Sequence, residues 1–493
     1  MINSIQYFNE ISTKNLENLR NDFFQNPKDV ATFIKNSREE FINVLLRFIG
    51  ETFTEIDQFI RDSGKRKENW HIVTRDAKSL ITSVGEIHFE KTLFINKETG
   101  ENEYLLDRLI GMKPKERMTE DAHENLLKEA VQSSYRRAGD ELSLTSSVSK
   151  QTVKNKLHEL KFPPPKKPVK KKVVDYLYID ADEDHVPLQF REKKGDLVKG
   201  ENGHKYNTVL AKLVYVYEGV EKEAPKSKRH RLINPHYFSG VYSGEANAGL
   251  WDEVYEYIDS HYDLSKVKKI YLNSDGGKWI TVAASRFKGI TKVLDGFHLS
   301  KYLVKMTGHF VNEADRWNSL YDLKEAIRDG NKEDFIYVTE KVRYFAGSES
   351  DRKRIDESRD YILNNWMPAK ARLHSRDKIM GCSAEGHVSH VLSSRMSSRP
   401  MGWSILGVDK MARLRAYYWN KGDMLFLVRY QNVELKKAAG CEEIIYSAGE
   451  MLASETNGHV NRELGKYFEA MRATATKNIN KYVGLTACLW DII

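Results

Sequence analysis

Three cysteines in 493 residues, Cys382, Cys441 and Cys488, are too few and too scattered to staple a fold. They exclude a disulfide scaffold and a thiolate zinc site, and they point to a reducing cytoplasm. No apolar run approaches the roughly 20 residues that cross a bilayer. The opening MINSIQYFNEIST lacks the basic-then-apolar order of a secretory signal, so no membrane is expected. A strong excess of one charge is missing too. The net charge is +8 and the pI near 8.9, which permits a polyanionic partner without requiring one. What is present, 40% hydrophobic and 30% charged residues, describes a globular protein. Its length calls for more than one core.

Along the chain the hydrophobic period changes repeatedly. Phe41, Leu45, Ile49, Phe53, Ile56 and Ile60 recur every three or four positions, which predicts an amphipathic helix within a helical region over 1–80. Ile87, Phe89, Leu93 and Ile95 alternate ahead of the turn-forming NKETGENEY, which predicts a β-hairpin region over 81–118. The segment 119–162 is helical again and ends like a helix-turn-helix. One helix stops near Gly139–Leu142, and Ser149 can cap the next. That next helix would present Lys150, Gln151, Lys154 and Asn155, residue types that reach phosphates and base edges. A plain helical hairpin with a solvated basic face would read the same way.

The stretch KFPPPKKPVKKKVV forbids helix and central strand, and it predicts an extended charged linker over 163–174. Beyond it, VVDYLYIDAD, HVPLQF and YNTVLAKLVYVYEGV read as three strands that can pair as a meander. Helix GLWDEVYEYIDSHY, strand VKKIYLNSD, helix GKWITVAASRF and strand ITKVLDGFH follow, so the expected fold class is α/β with a mixed sheet. Residues 300–380 turn helical and polar, an insertion that ends before the unusual GCSAEGHVSHVLSSRMSSRPMGWS. After it, MLFLVRY reads as a strand ahead of a helical finish, in a C-terminal region over 405–493.

Acids fall where these elements begin or end. Asp180, Asp182 and Asp184 alternate on one strand and therefore share a face. Asp275 ends an apolar strand just before Gly276 and Gly277, and Glu385 opens a helix. Singly, each has a structural explanation: a solvated strand end, a turn former, a residue facing the helix dipole. Together, carboxylates from separate segments at one sheet edge can hold Mg²⁺ or Mn²⁺, and two such ions can activate an attacking oxygen and stabilise a leaving one.

The motifs LYIDADEDHVPLQ, NSDGGKWI, VLDGFHLSKYL and GCSAEGHVSHVLSSRMSSRPMGWS resemble those of ISLre-type bacterial insertion-sequence transposases, a group also catalogued as an uncharacterised UPF family. The resemblance covers most of the chain. It implies a ribonuclease-H-like catalytic domain over 175–404, interrupted by the helical insertion, with an Asp-Asp-Glu triad. Carried over by position, the triad is Asp182, Asp275 and Glu385 with Mg²⁺ or Mn²⁺, two ions in number. Asp182 is chosen over Asp180 and Asp184 because the apolar YLYI run gives way to polar residues there.

Beside the triad, His298, His387 and His390 could contact the scissile phosphate or a bridging water, or else order the carboxylates or simply pack. The supporting set is read as Asp295, His298 and His387, and Arg395 and Arg399 are read as gripping DNA phosphate. The partners implied by the resemblance would be double-stranded DNA, the element's terminal repeats and its target, and a second copy of the chain in a homo-oligomer on DNA. The setting would be bacterial and close to the nucleoid. Interleaved Arg413, Arg415, Tyr417, Tyr418 and Trp419 suit distorted DNA ends, although an ordinary amphipathic helix would look similar. Two rivals share these residues: a metal-dependent nuclease that cuts without joining, and a non-enzymatic helix-turn-helix regulator.

Overall fold

The computed structural model describes residues 3–189, 198–199, 205–287, 289–374, 379–399 and 401–432. The expected helical finish of the tail lies outside them. The chain divides into two compact units, one running through Val153 and resuming at Met424, the other Lys154–Asp423. The division falls after Val153 and not at the Pro/Lys stretch, which belongs to the second unit. That stretch is neither helix nor strand along most of its length, and Lys172 pairs with Glu218 at 2.6 Å.

The first unit opens with helices α1 (Asn3–Tyr7), α2 (Thr13–Gln25), α3 (Val30–Asp62) and α4 (Gly64–Asn69). The apolar stripe predicted for α3 packs Ile49, Phe53, Ile56 and Ile60 against an antiparallel sheet of β1 (Trp70–Ile81), β2 (Glu86–Asn96) and β3 (Asn102–Tyr104). β1 corrects the helical assignment of residues up to 80. It is exposed along most of its length, so burial imposes no alternation for a sequence reading to find. Gly50 lets α3 press on β2, because a Cβ there would lie 2.4 Å from the carbonyl oxygen of His88.

Helix α5 (Leu105–Leu109) precedes α6 (Glu120–Gln132), α7 (Tyr135–Glu141) and α8 (Lys150–His158). Ser149 caps α8 as expected, its Oγ accepting from the Thr152 amide at 3.2 Å. Lys150, Gln151 and Asn155 are exposed and Lys154 is half-buried. The expected strand MLFLVRY is instead a helix, Met424–Tyr430, packed on α6. It buries Met424, Leu427 and Val428, a spacing of three and four that so short an apolar run does not reveal.

The second unit is built on five strands in the order β10-β7-β4-β11-β12. The ranges are β4 (Tyr176–Pro187), β5 (Val198–Lys199), β6 (Lys205–Tyr206), β7 (Thr208–Tyr217), β8 (Gly219–Lys222), β9 (His230–Ile233), β10 (His236–Gly240), β11 (Lys269–Ser274) and β12 (Ile290–Leu294). β4, β7 and β10 form an antiparallel meander, and β11 and β12 run parallel to β4 and to each other. HVP continues β4 and is no separate strand. The third meander strand is β10, five residues that sequence reasoning passed over. β5 with β6, and β8 with β9, are small separate ribbons.

Helix α9 (Ala246–His261) covers one sheet face, setting Leu250, Trp251, Val254 and Ile258 against Leu177, Ile179, Val214, Val216 and Leu272. Short helices α10 (Lys278–Thr281) and α11 (Ala283–Arg286) lead into β12. The insertion is helical as expected: α12 (Gly296–Thr307), α13 (Glu313–Asp329), α14 (Lys332–Tyr344), α15 (Glu349–Asn364) and α16 (Trp366–His374). It has its own core around Leu303, Leu323, Ile327, Phe335 and Trp366. The chain returns to the sheet through α17 (Ala384–Val388), a π-turn (Ser389–Ser393), α18 (Ser394–Met396) and α19 (Ile405–Trp419).

Replacing Gly50 by Ala should lower stability by about 1–3 kcal/mol, since the new methyl meets backbone that cannot rotate away. Denaturant unfolding followed by the change in midpoint measures this.

Candidate active site

Alternation along β4 sends Leu177, Ile179 and Ala181 into the core beneath α9 and the even-numbered residues to the opposite face. Asp180 on that face has no exposed surface. Its carboxylate accepts hydrogen bonds from Tyr215 Oη at 2.8 Å, Tyr217 Oη at 3.1 Å, Asn273 Nδ2 at 2.7 Å and the Ser383 amide at 3.0 Å. Burial raises its pKa, opposed by these donors.

Arg372, at the end of the insertion, extends the network. It donates to Asn273 Oδ1 at 2.9 Å, to the Leu294 carbonyl at 2.8 Å and to the Met380 carbonyl at 2.8 Å. One buried carboxylate therefore ties together β7, β11, the end of β12, the insertion and the approach to α17.

Asp182 lies two residues further along the same face, where β4 becomes more open. Asn273 is the partner of Asp180 in the parallel register, so carrying that register two residues on sets Asp275 beside Asp182. Burial, with the charges of Asp275 and Glu183, pushes the Asp182 carboxyl up to about 6, against the hydrogen bond it accepts from the Glu183 amide at 2.8 Å and the charge of His298. Asp275 is held by its own turn: Oδ1 accepts from the Gly277 amide at 2.9 Å, and its carbonyl accepts from Tyr361 Oη. Gly276 sits at φ +92°, where a Cβ would strike the Asn365 side chain.

Asp295 caps α12 and binds His298 Nδ1 at 2.9 Å. Burial would raise the Asp295 pKa, but hydrogen bonds from the His298 side chain and from the His298 and Phe297 amides outweigh it and hold it low. That same side-chain bond raises the pKa of His298, against burial and with help from the charges of Asp295 and Asp275. Asp182, Asp275, Asp295 and His298 thus form one electrostatically coupled cluster.

Glu385 does not join them in a ligand group. Among the described residues no three His, Cys, Asp or Glu side chains stand together closely enough to hold an ion. Glu385 is exposed on α17, two residues past the Ser383 anchor. Asp184 is buried, with Oδ1 accepting from Ser397 Oγ at 2.9 Å and Oδ2 unpartnered.

The chain matches the uncharacterised protein family UPF0236 over residues 28–434. It belongs to that family. A UPF0236 protein of Caldanaerobacter subterraneus subsp. tengcongensis is 32% identical over 458 residues, 91% of each chain. Another from the same organism is 36% identical over 376 residues, 75% of this chain and 73% of that one. The first relative's name joins eleven designations and the second's joins four. Among solved structures, the Drosophila P element transposase strand transfer complex aligns with 73% of this chain and 87% of its own, at 10% identity and a TM-score of 0.19, too low to carry an argument.

Elsewhere in this UPF0236 chain the structure corrects the expected phosphate grip. Arg395 is buried, its guanidinium 4.9 Å from the Trp403 ring centre, so it is a core side chain; Arg399 is exposed as expected. Arg415 is buried against the carbonyls of His390 and Val391, and Arg413 pairs with Asp409, so both are engaged in internal contacts. His387 packs 4.6 Å from the Tyr215 ring, with Nδ1 2.9 Å from Tyr237 Oη, and burial followed by His390 lowers its pKa to about 4. It is a neutral packing group that fastens α17. Sequence reasoning missed Tyr215, Tyr217, Asn273 and Arg372; the one available signal was a polar Asn inside an apolar strand.

Two substitutions on β4 should shift stability in opposite directions. Asp180→Asn places an amide against four donors and should cost on the order of 3 kcal/mol. Asp182 has a folded pKa above its unfolded value, so its ionisation opposes folding increasingly from about pH 4 to about pH 6 and fully above that. Asp182→Asn should therefore raise stability at pH 7 by on the order of 1–3 kcal/mol, a gain that vanishes below about pH 4. Unfolding curves at pH 4 and pH 7 test both.

Proposed function

We propose that this protein is a DDE-type DNA transposase, a polynucleotidyl transferase that cuts the ends of its own element and joins the freed 3′-hydroxyls to target DNA. The observation that carries the reading is the carboxylate pair Asp182 and Asp275. Asp182 lies midway along β4 and Asp275 just past the end of β11, where the register Asn273–Asp180 carried two residues on brings them close, and the charge of Asp275 helps lift Asp182 to about 6. Fully solvated carboxylates show no such shift, and sites that bind cations or move protons commonly do. The strand order β10-β7-β4-β11-β12, a meander followed by two parallel strands, supports a ribonuclease-H-like core. Relatives whose names join eleven and four designations within one organism fit a gene carried in several copies, as mobile elements are.

The donors present suit a hard divalent cation, since Asp182 and Asp275 offer only oxygen and Asp184 keeps an unpartnered buried oxygen close by in sequence. Asp182 and Asp275 would hold Mg²⁺ or Mn²⁺; Glu385 stands apart from them and would become the third donor only by a movement of the helix whose start Asp180 pins. When bound, two such ions supply electrophilic stabilisation of the attacking and leaving oxygens. His298, oriented through Nδ1 by Asp295, can donate a proton or a hydrogen bond to a phosphate oxygen beside the carboxylates. Lys150, Gln151 and Asn155 on α8, together with Arg399, supply exposed groups for duplex DNA. Two copies of the chain would hold two element ends.

With the gene's own flanking DNA and Mg²⁺ or Mn²⁺, wild type should nick the ends and transfer strands. Asp182→Asn, Asp275→Asn and Glu385→Gln should each lose on the order of a thousandfold in cleavage while retaining DNA affinity. Mg²⁺ should raise the melting temperature of wild type more than that of Asp182→Asn. Unimpaired cleavage by Glu385→Gln would sink the triad, and cleavage without joining would make the protein a nuclease.

A further inference from the structure

On α19 the cations Arg413 and Arg415 are engaged inside the fold, whereas α12 sets an exposed ring among lysines. That helix starts at Asp295, and His298 in its first turn is coupled to Asp275 and Asp182. Next to His298, Phe297 is 61% exposed, its ring 5.6 Å from the imidazole and nearly perpendicular to it. One turn on, Lys301 holds its ammonium 5.9 Å from the Phe297 ring centre. Val304 is 41% exposed, and Lys305 lies 5.0 Å over Tyr302, which stacks on Tyr361 at 3.8 Å. Positions 297, 301, 304 and 305 recur at helical spacing, so they share the outward side. Among the described residues neither lysine has a salt-bridge partner, and Asp295, the acid nearest Lys301 in sequence, is engaged by His298.

Resting on the transposase reading, we infer that this face of α12 receives an unpaired nucleotide at the cut DNA end, with Phe297 stacking on the base and Lys301 and Lys305 meeting the phosphates. An exposed ring with one lysine beside it and a second a turn further along the same face suits a polyanion that also offers a flat apolar face. Paired bases in a duplex hide those faces in the stack, so Phe297 would select unpaired ends and add little to duplex binding. The position follows from the fold. α12 leaves the sheet at the same edge as the carboxylates, so a strand lying along it has its terminal phosphodiester beside Asp182 and Asp275.

The test uses the full chain with two probes, a blunt duplex and a duplex bearing a short 3′ overhang with 2-aminopurine at its last base. Wild type should prefer the overhang and quench the 2-aminopurine. Phe297→Ala should lose the quenching and roughly 5- to 100-fold in overhang affinity, with blunt-duplex affinity unchanged. Phe297→Tyr should restore both signals. A double Lys301→Ala, Lys305→Ala variant should reduce the slope of log affinity against log salt by about 1.4 for the overhang. Undiminished quenching and affinity in Phe297→Ala would overturn the inference, as would an equal loss on both probes. If wild type binds neither probe, the transposase reading falls as well. If wild type cuts its ends and Phe297→Ala behaves like it, the α12 inference alone falls.

Discussion

A carboxylate cut off from water must be met by donors on every side, and Asp180 is met by four. Those donors come from three places far apart in sequence, β7, β11 and the residue before α17. Asn273 is itself held by Arg372 from the end of the insertion. Leaving such a charge partly unpaired costs several kcal/mol, so the network forms as a unit or not at all. The geometry of the candidate site depends on this constraint. It sets β4 and β11 in the register that brings Asp182 and Asp275 together, and it fixes where the chain re-enters the sheet after some eighty residues of helices.

The cost of that geometry appears two residues away. Asp182 is only partly offset, by the Glu183 amide and by His298, and its carboxyl stays raised to about 6. A chain selected for stability alone would place a neutral residue there. Asp180 and Asp182 therefore divide the work of one strand face. The buried acid is satisfied and positions its neighbours, and the more open acid is left short of positive charge. The Asp295–His298 pair beside them is satisfied internally and still presents a ring with a raised pKa to the carboxylates.

Much of this could be read from the residues. Alternating Asp180, Asp182 and Asp184, an Asp ending an apolar strand before two glycines, and the helical insertion all stand where they were expected. Other parts could not be read, for identifiable reasons. β1 is too exposed to carry an apolar alternation, and β10 is only five residues long. MLFLVRY is too short to distinguish a period of 2 from one of 3.6. Arg395 and Arg415 are basic in composition yet buried over Trp403 and beneath backbone carbonyls, a fate set by packing partners distant in sequence. The choice among the three aspartates depends on hydrogen-bond partners from β7 and the segment before α17, which only the assembled fold brings together.

In the proposed reading, Asp182 and Asp275 are paired to hold a divalent cation. The most direct measurement is anomalous diffraction from crystals of the full chain grown with Mn²⁺ and a DNA end. Mn²⁺ density is expected between Asp182 and Asp275, with Glu385 as a further donor and Asp180 still bound to Tyr215, Tyr217 and Asn273. Saturating Mn²⁺ that leaves Asp182 and Asp275 without metal, or that is held by Asp180 in their place, would contradict it.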